Sequence, residues 1–127
     1  MPNIEGDLPL RPSALKGNVI VLEFWFKNCP PCVEAIPALN NLYKKYGNTN
    51  FEFYGIEFLN ETKENVNKYI EGKNIQYPML YNGKAIASLY KISSAPTFLI
   101  VDKTGIIRYA KSGFNKKEIV DVIEKYL

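Results

Sequence analysis

Histidine is absent from the 127 residues, and cysteine occurs only twice. Without an imidazole, Ser-His-Asp and Cys-His catalysis are excluded, as are facial-triad iron and His-ligated zinc. Long hydrophobic runs are also missing. The longest, Val19 to Phe26, is too short to span a bilayer and contains Glu23, and no secretory signal is visible. Charge of one sign is scarce: the net charge is +3 and the lysines are dispersed, so nucleic acid is not an expected partner. What is present is ordinary for a globular domain, with 46% hydrophobic and 23% charged residues. The length fits a single domain over 1–127. Any chemistry must therefore use sulfur, carboxylates, lysines, hydroxyls or the backbone.

Both cysteines fall in one run, Cys29-Pro30-Pro31-Cys32. Structural zinc needs four ligands, and two thiols cannot supply them without a dimer or carboxylates. Haem attachment requires His after the second Cys, where Val33 stands. A purely structural disulfide between residues three apart closes almost no loop and adds little entropic stabilisation. A redox dithiol is the reading that remains in front.

Residues 1–12 carry Pro2, Pro9, Pro12 and Gly6 and are expected to form an irregular arm. The β-branched and aromatic run 19–26 fits a central parallel strand covered on both faces. A helix is expected after the CPPC, with Ile36, Leu39, Leu42, Tyr43 and Tyr46 on one stripe, a kink at Pro37 and a stop at Gly47. Phe51 to Leu59 reads as a second strand, 61–72 as a helix, and Tyr77 to Tyr81 as a short extended piece before a short helix through Ile86, Leu89 and Tyr90. Residues 97–101 and 106–110, joined by Asp102-Lys103-Thr104-Gly105, read as a hairpin. Asn115 with Glu118 three residues on marks the start of a last helix burying Ile119, Val122, Ile123 and Tyr126. The order β-α-β-α-β-β-α predicts an α/β sandwich with parallel strands first and an antiparallel hairpin last.

The stretch Val21-Leu22-Glu23-Phe24-Trp25-Phe26-Lys27-Asn28-Cys29-Pro30-Pro31-Cys32, followed by Pro37, resembles the active site of thioredoxin-fold proteins, most closely the TlpA/ResA-like thiol-disulfide oxidoreductases. Leu15-Lys16-Gly17 resembles that family's entry to its core. The segment between the second strand and Tyr77 has the length of the branch's extra helix, and Ser94-Ala95-Pro96-Thr97-Phe98-Leu99-Ile100 resembles its cis-proline loop. The resemblance implies a thioredoxin-like three-layer α/β/α sandwich with a mixed sheet, reversible dithiol-disulfide exchange, and a cis bond at Pro96 where an X-Pro bond is ordinarily trans. It also implies an extracytoplasmic setting, protein disulfide or dithiol clients and an upstream thiol electron donor. No cofactor or metal is called for, and a monomer is expected. The family commonly carries Glu three residues after the second cysteine; here that position is Ala35, and the neighbouring Glu34 reads as a solvated helix-start charge.

The residues themselves support roles within that frame. Pro30 disfavours helical geometry at Cys29 and suits it to an N-cap, where the helix macrodipole favours a thiolate. Cys29 is the expected nucleophile and Cys32, one turn in and expected to be less exposed, the resolving thiol. Pro30 and Pro31 each remove an N–H that could donate to the Cys29 sulfur, which points to a reductant rather than a strong oxidant. Glu23 interrupts an apolar strand six residues before Cys29, where thioredoxins resemble one another in holding a buried Asp. Such a carboxylate could accept the Cys32 proton, the other reading being an acid paired with a lysine or facing water. The lysine that accompanies it in thioredoxins is expected to be replaced by Gly55. Asn28, Pro30, Pro31, Ala95 and Pro96 form the expected substrate-contacting set, with the Ala95 backbone pairing with an extended client segment. Trp25 is counted with them, although strand alternation gives most of it to the core. The leading function is a protein-disulfide reductase; the alternative is a thioredoxin-fold scaffold that holds clients without turnover. A peroxide-reducing enzyme would need an arginine and hydroxyl arrangement near Cys29 that the sequence does not display.

Overall fold

The computed structural model describes residues 17–127. The expected arm over 1–12 and the Leu15-Lys16 entry lie outside the described residues. The described chain runs β1 (Val19–Trp25), α1 (Pro30–Tyr46), β2 (Phe51–Glu57), α2 (Lys63–Gly72), β3 (Met79–Leu80), α3 (Lys84–Leu89), β4 (Thr97–Val101), β5 (Ile107–Ser112) and α4 (Lys116–Tyr126). These build one five-stranded sheet in the order β3-β2-β1-β4-β5. The first three strands are parallel; β4 runs antiparallel to β1, and β5 antiparallel to β4.

Every residue of β1 is buried, because β1 is the middle strand and helices cover both its faces. Alternation sends Val19, Val21 and Trp25 to one side, where they pack with Ala35, Leu39 and Leu42 of α1, Val66 of α2 and Ile119 and Ile123 of α4. Ile20, Leu22 and Phe24 face the other side, with Tyr54, Ile56, Leu80 and Ala87 of α3. Helix-sheet-helix layering follows, as the sequence pattern predicts. Glu23 has the parity of Val21 and Trp25, so the strand that must be apolar on both faces carries a carboxylate beneath α1.

Several boundaries differ from the sequence reading for local reasons. β2 stops at Glu57 rather than Leu59, because the Glu57 carboxylate accepts the amides of Leu59 (3.1 Å) and Glu61 (3.0 Å) and draws the chain out of the ladder. α2 begins at Lys63, with the Thr62 hydroxyl accepting the Asn65 amide. β5 covers 107–112, displaced by an irregularity in its pairing at Ile100/Val101. Asp102 organises that hairpin, accepting from the Thr104 amide and hydroxyl, the Ile106 amide and Arg108 Nε. α1 passes through Pro37 as one assigned helix, with the ring exposed to solvent. α4 starts as read from the sequence, Asn115 accepting the Glu118 amide.

Candidate active site

At the end of β1 the chain turns through Asn28, whose φ of 63° lies in the left-handed region that asparagine tolerates better than most residues. Cys29 follows as the N-cap of α1, with extended geometry (φ −102°, ψ 104°) and prolines at the first two helical positions. The 17-residue helix has no acidic residue in its first turn, so the positive end of its macrodipole is left uncompensated next to the Cys29 sulfur. Cys29 and Cys32 are joined as a disulfide, with Cα atoms 5.2 Å apart. No side-chain hydrogen bond caps the helix, in keeping with the two missing proline N–H groups.

The expectation that Cys32 is the less exposed thiol is not met in this oxidised form: both cysteines are 3% exposed. What distinguishes them is their surroundings. Cys29 lies between exposed Asn28, Pro30 and Pro31, and its sulfur is 3.6 Å from the Ala95 carbonyl oxygen. Cys32 points inward, onto a cavity of about 10 Å³ that it shares with Glu23, Trp25, Ile36, Tyr69, Ile75 and Tyr77.

Glu23 is the unusual member of that cavity. It is 1% exposed, and one carboxyl oxygen, Oε1, has no hydrogen-bond partner. Burial raises its pKa from 4.5 to about 8, and a hydrogen bond with the Tyr77 hydroxyl opposes this to a smaller extent. The reading of a lysine-paired or solvent-facing carboxylate is therefore overturned. Directly across the parallel ladder from Glu23 is Gly55, as the sequence reading places it. The space beside Gly55 is filled by Met79, whose sulfur would lie 2.6 Å from a Cβ added there, and Trp25 Nε1 donates to that sulfur at 2.7 Å. Trp25 is 3% exposed and stacks on Tyr69 with ring centroids 5.3 Å apart. Its place among the substrate-contacting residues is thus corrected: β1 alternation turns it into the core, where it forms a wall of the Glu23 cavity.

On the other side of Cys29, the Ala95–Pro96 peptide bond is cis. The loop is held by Thr97 Oγ1 donating to the Ser94 carbonyl (2.8 Å), by the paired hydroxyls of Ser94 and Ser112 (2.9 Å), and by the Gly113 amide donating to the Pro96 carbonyl (2.7 Å). Ala95 is partly exposed beside the disulfide, while Pro96 is buried. Glu34 is exposed and lies beyond the first helical turn, so it gains little from the macrodipole, whose effect fades within that turn. Among the described residues no cluster of three or more Cys, Asp or Glu could hold a metal ion. The residues missed from sequence are Tyr69, Tyr77 and Met79; a tyrosine pattern is usually a packing signal, and nothing local ties these three to Glu23.

A model of the AhpC/TSA family matches residues 2–110. The thiol-disulfide oxidoreductase ResA of Bacillus anthracis is 30% identical over 105 residues, which cover 82% of this chain and 60% of that protein. The thioredoxin-like protein YneN of Bacillus subtilis (strain 168) is 30% identical over 107 residues, covering 82% and 62%. The chain thus spans about three fifths of the length of these curated relatives. Among solved structures, a thioredoxin-family thiol:disulfide interchange protein of Chlorobium tepidum TLS superposes with a TM-score of 0.76 at 24% identity, over 90% of this chain and 83% of that one. StoA of Bacillus subtilis superposes with a TM-score of 0.73 at 22% identity, over 86% and 84%, and supports the thioredoxin-like fold.

Proposed function

The chain belongs to the AhpC/TSA family, and from that premise we propose that it is a thiol-disulfide oxidoreductase that reduces protein disulfides through Cys29 and Cys32. The observation that carries the reading is the CPPC disulfide seated at the N-terminus of α1, with a buried carboxylic acid behind one cysteine and the carbonyl of the partly exposed loop residue Ala95 beside the other.

In the reduced protein the Cys29 thiolate, favoured by the helix terminus, attacks a client disulfide. One client sulfur leaves as a thiolate and the other stays bonded to Cys29. Cys32 then gives its proton to the fraction of Glu23 that is ionised, a fraction that grows as the pH approaches about 8, and attacks the Cys29 sulfur. The Cys29–Cys32 bond forms, the Cys29–client bond breaks, and the second client sulfur leaves as a thiolate that takes its proton from water. Two electrons pass from the protein dithiol to the client, and an external thiol donor must return them. Asn28, Pro30, Pro31 and the Ala95–Pro96 loop form the rim on which an extended client segment docks, with the Ala95 backbone as its pairing partner.

The reducing direction is supported by the absence of a capping hydrogen bond to Cys29, since a strongly stabilised thiolate is what makes such a dithiol a strong oxidant. The extracytoplasmic setting, the monomeric state and the identity of the donor are further parts of this proposal and rest on the ResA-like resemblance. No helix among the described residues is long and apolar enough to cross a membrane. Peroxide reduction is disfavoured: Arg108, the one arginine among the described residues, is held 2.7 Å from Asp102 in the β4–β5 hairpin. That hairpin lies at the end of the sheet where Val101 pairs with Ile20, away from the cysteines.

The test is trapping with Cys32→Ser. A reductase accumulates mixed disulfides between Cys29 and client proteins that dithiothreitol dissolves, whereas Cys29→Ser accumulates none. A chain that binds clients equally well in both variants, with no covalent adduct, is the scaffold instead.

A further inference from the structure

An ionised Glu23 has no cation to face in this site. Its partner across the parallel ladder is Gly55, with Met79 filling the space beside that glycine, and its partner on β4 is Phe98. α1 presents Cys32 and Ile36 to the cavity, the stretch before β3 presents Ile75 and Tyr77, and α2 presents Tyr69. Glu57, the buried carboxylate of β2, is turned to the amides of Leu59 and Glu61. The titratable groups sharing the cavity with Glu23 are thus one cysteine and two tyrosines. The Tyr77 hydroxyl hydrogen-bonds the carboxyl group, yet one oxygen is left over. Among the described residues two buried side-chain oxygens lack a hydrogen-bond partner, Glu23 Oε1 and the Tyr69 hydroxyl. Both residues line the same cavity, whose volume of about 10 Å³ suits one water, and buried polar groups of folded proteins are almost always paired. The Tyr69 ring is held between the Trp25 indole, stacked at 5.3 Å, and the Lys73 ammonium, 5.9 Å from the ring centre. The Asn28 amide points toward the Tyr69 oxygen without completing a hydrogen bond of normal geometry. An N–H there meets the lone pairs of the phenol and leaves the phenol proton free to turn elsewhere.

We propose that Tyr69 is a positioning residue for Glu23: its hydroxyl, bridged by one water in the cavity, donates to Oε1 of the ionised carboxylate, so that two phenols stand in for the missing cation. The catalytic side of this rests on Glu23 accepting the Cys32 proton. A carboxylate is acceptor only and needs a donor at each oxygen, whereas the neutral acid carries a proton of its own. Tyr77 supplies one donor, and Tyr69 through the water supplies the other. A phenol and a water both donate and accept, so the pair can accept from the neutral acid and turn to donate once it ionises. No proton crosses Tyr69 in either state. The proton that Glu23 takes from Cys32 stays in the closed site and returns to the Cys32 sulfur when an external thiol reduces the disulfide. Burial raises the pKa of both phenols, and the charge of Glu23 raises each of them further. Both therefore remain protonated donors through the range in which Glu23 titrates.

Tyr69→Phe removes one oxygen and keeps the ring between Trp25 and Lys73. Carbon-13 NMR of the Glu23 carboxyl in the disulfide form reads its titration without any client. Losing a donor to the charged form should move that titration upward by about one pH unit. Ile75→Val trims the cavity wall and removes no donor, so it should produce no such rise. A Glu23 titration that Tyr69→Phe leaves in place overturns the proposal, as does an equal rise in Ile75→Val, which would assign the effect to packing. Single-turnover reduction of a model protein disulfide tests the catalytic side. Resolution by Cys32 at pH 7 should slow about tenfold in Tyr69→Phe, with its pH profile displaced upward to match the NMR titration. A displaced titration with unchanged resolution keeps the Tyr69 hydrogen bond and removes Glu23 from the exchange reaction, so the two ideas fail separately. Should Tyr69→Phe not fold, the wild-type protein still decides: the Tyr69 Cζ resonance should follow the Glu23 titration, and a resonance that ignores it overturns the proposal.

Discussion

Replacing Glu23 by Gln tests the buried acid without any assumption about clients. The Glu23 pKa is 4.5 in the unfolded chain and about 8 in the folded one, with burial as the cause. Below pH 4.5 both states hold the proton, and the folded protein has its full stability. Between the two values the folded state keeps a proton that the unfolded state has lost, so stability falls as pH rises, by about 1.4 kcal/mol per pH unit. Over that interval the loss sums to about 5 kcal/mol, and it is complete once the pH passes the folded value. Glutamine is neutral throughout, nearly the same shape, and keeps an acceptor for the Tyr77 hydroxyl. Wild type and Glu23→Gln should therefore be nearly equal at pH 4.5, while at pH 9 the variant should be more stable by about 5 kcal/mol. Other groups that titrate on folding, such as Glu57 and Asp102, are present in both proteins and cancel in the difference. Denaturant unfolding of the disulfide forms, followed by the fluorescence of the single tryptophan Trp25, gives both numbers. Stability curves that stay parallel from pH 4.5 to 9 would refute a protonated, desolvated Glu23.

The neighbouring positions make separate predictions. Gly55→Ala places a Cβ 2.6 Å from Met79 Sδ and 3.2 Å from Trp25 Nε1, so it should destabilise by about 1–3 kcal/mol through overpacking. Adding Met79→Ala should recover part of that loss in a double-mutant cycle, and strict additivity would refute the contact. Glu57→Ala leaves the amides of Leu59 and Glu61 without their acceptor and should cost about 1–3 kcal/mol in chemical unfolding, more than Glu57→Gln. The Asp102 pKa is depressed, first by the Thr104 hydroxyl and then by the Ile106 amide and Arg108, so its contribution is present above pH 3.8 and is lost as the pH falls through the lower folded value. Asp102→Asn should lower the melting temperature at pH 7, with the gap to wild type narrowing toward pH 2; a constant gap would remove the charge from the account.

Much of this molecule is legible along the chain because the signals are local. The all-apolar run of β1 requires cover on both faces, and CPPC after it requires a helix start with Cys29 at the cap. Asn115 with Glu118 announces α4. The errors are also informative. Leu59 has the composition of a strand residue, yet Glu57 spends its carboxylate on the amides that would have continued the ladder. Trp25, near the cysteines in sequence, is far from the rim in function because alternation fixes its direction. The relative exposure of the two cysteines could not be read at all, since it depends on how the cis-proline loop lies against Cys29.

The candidate reacting groups were thus legible from residue type and spacing: no imidazole, one CxxC pair, one carboxylate in an apolar strand. What surrounds that carboxylate was decided only in three dimensions. Parallel pairing of β1 with β2, and of β2 with β3, sets Gly55 and Met79 beside it, and α2 lays Tyr69 over the cavity from a distant stretch of the chain. A pKa is fixed by desolvation and by the few polar atoms within hydrogen-bond reach, and those are properties of packing that no local pattern carries.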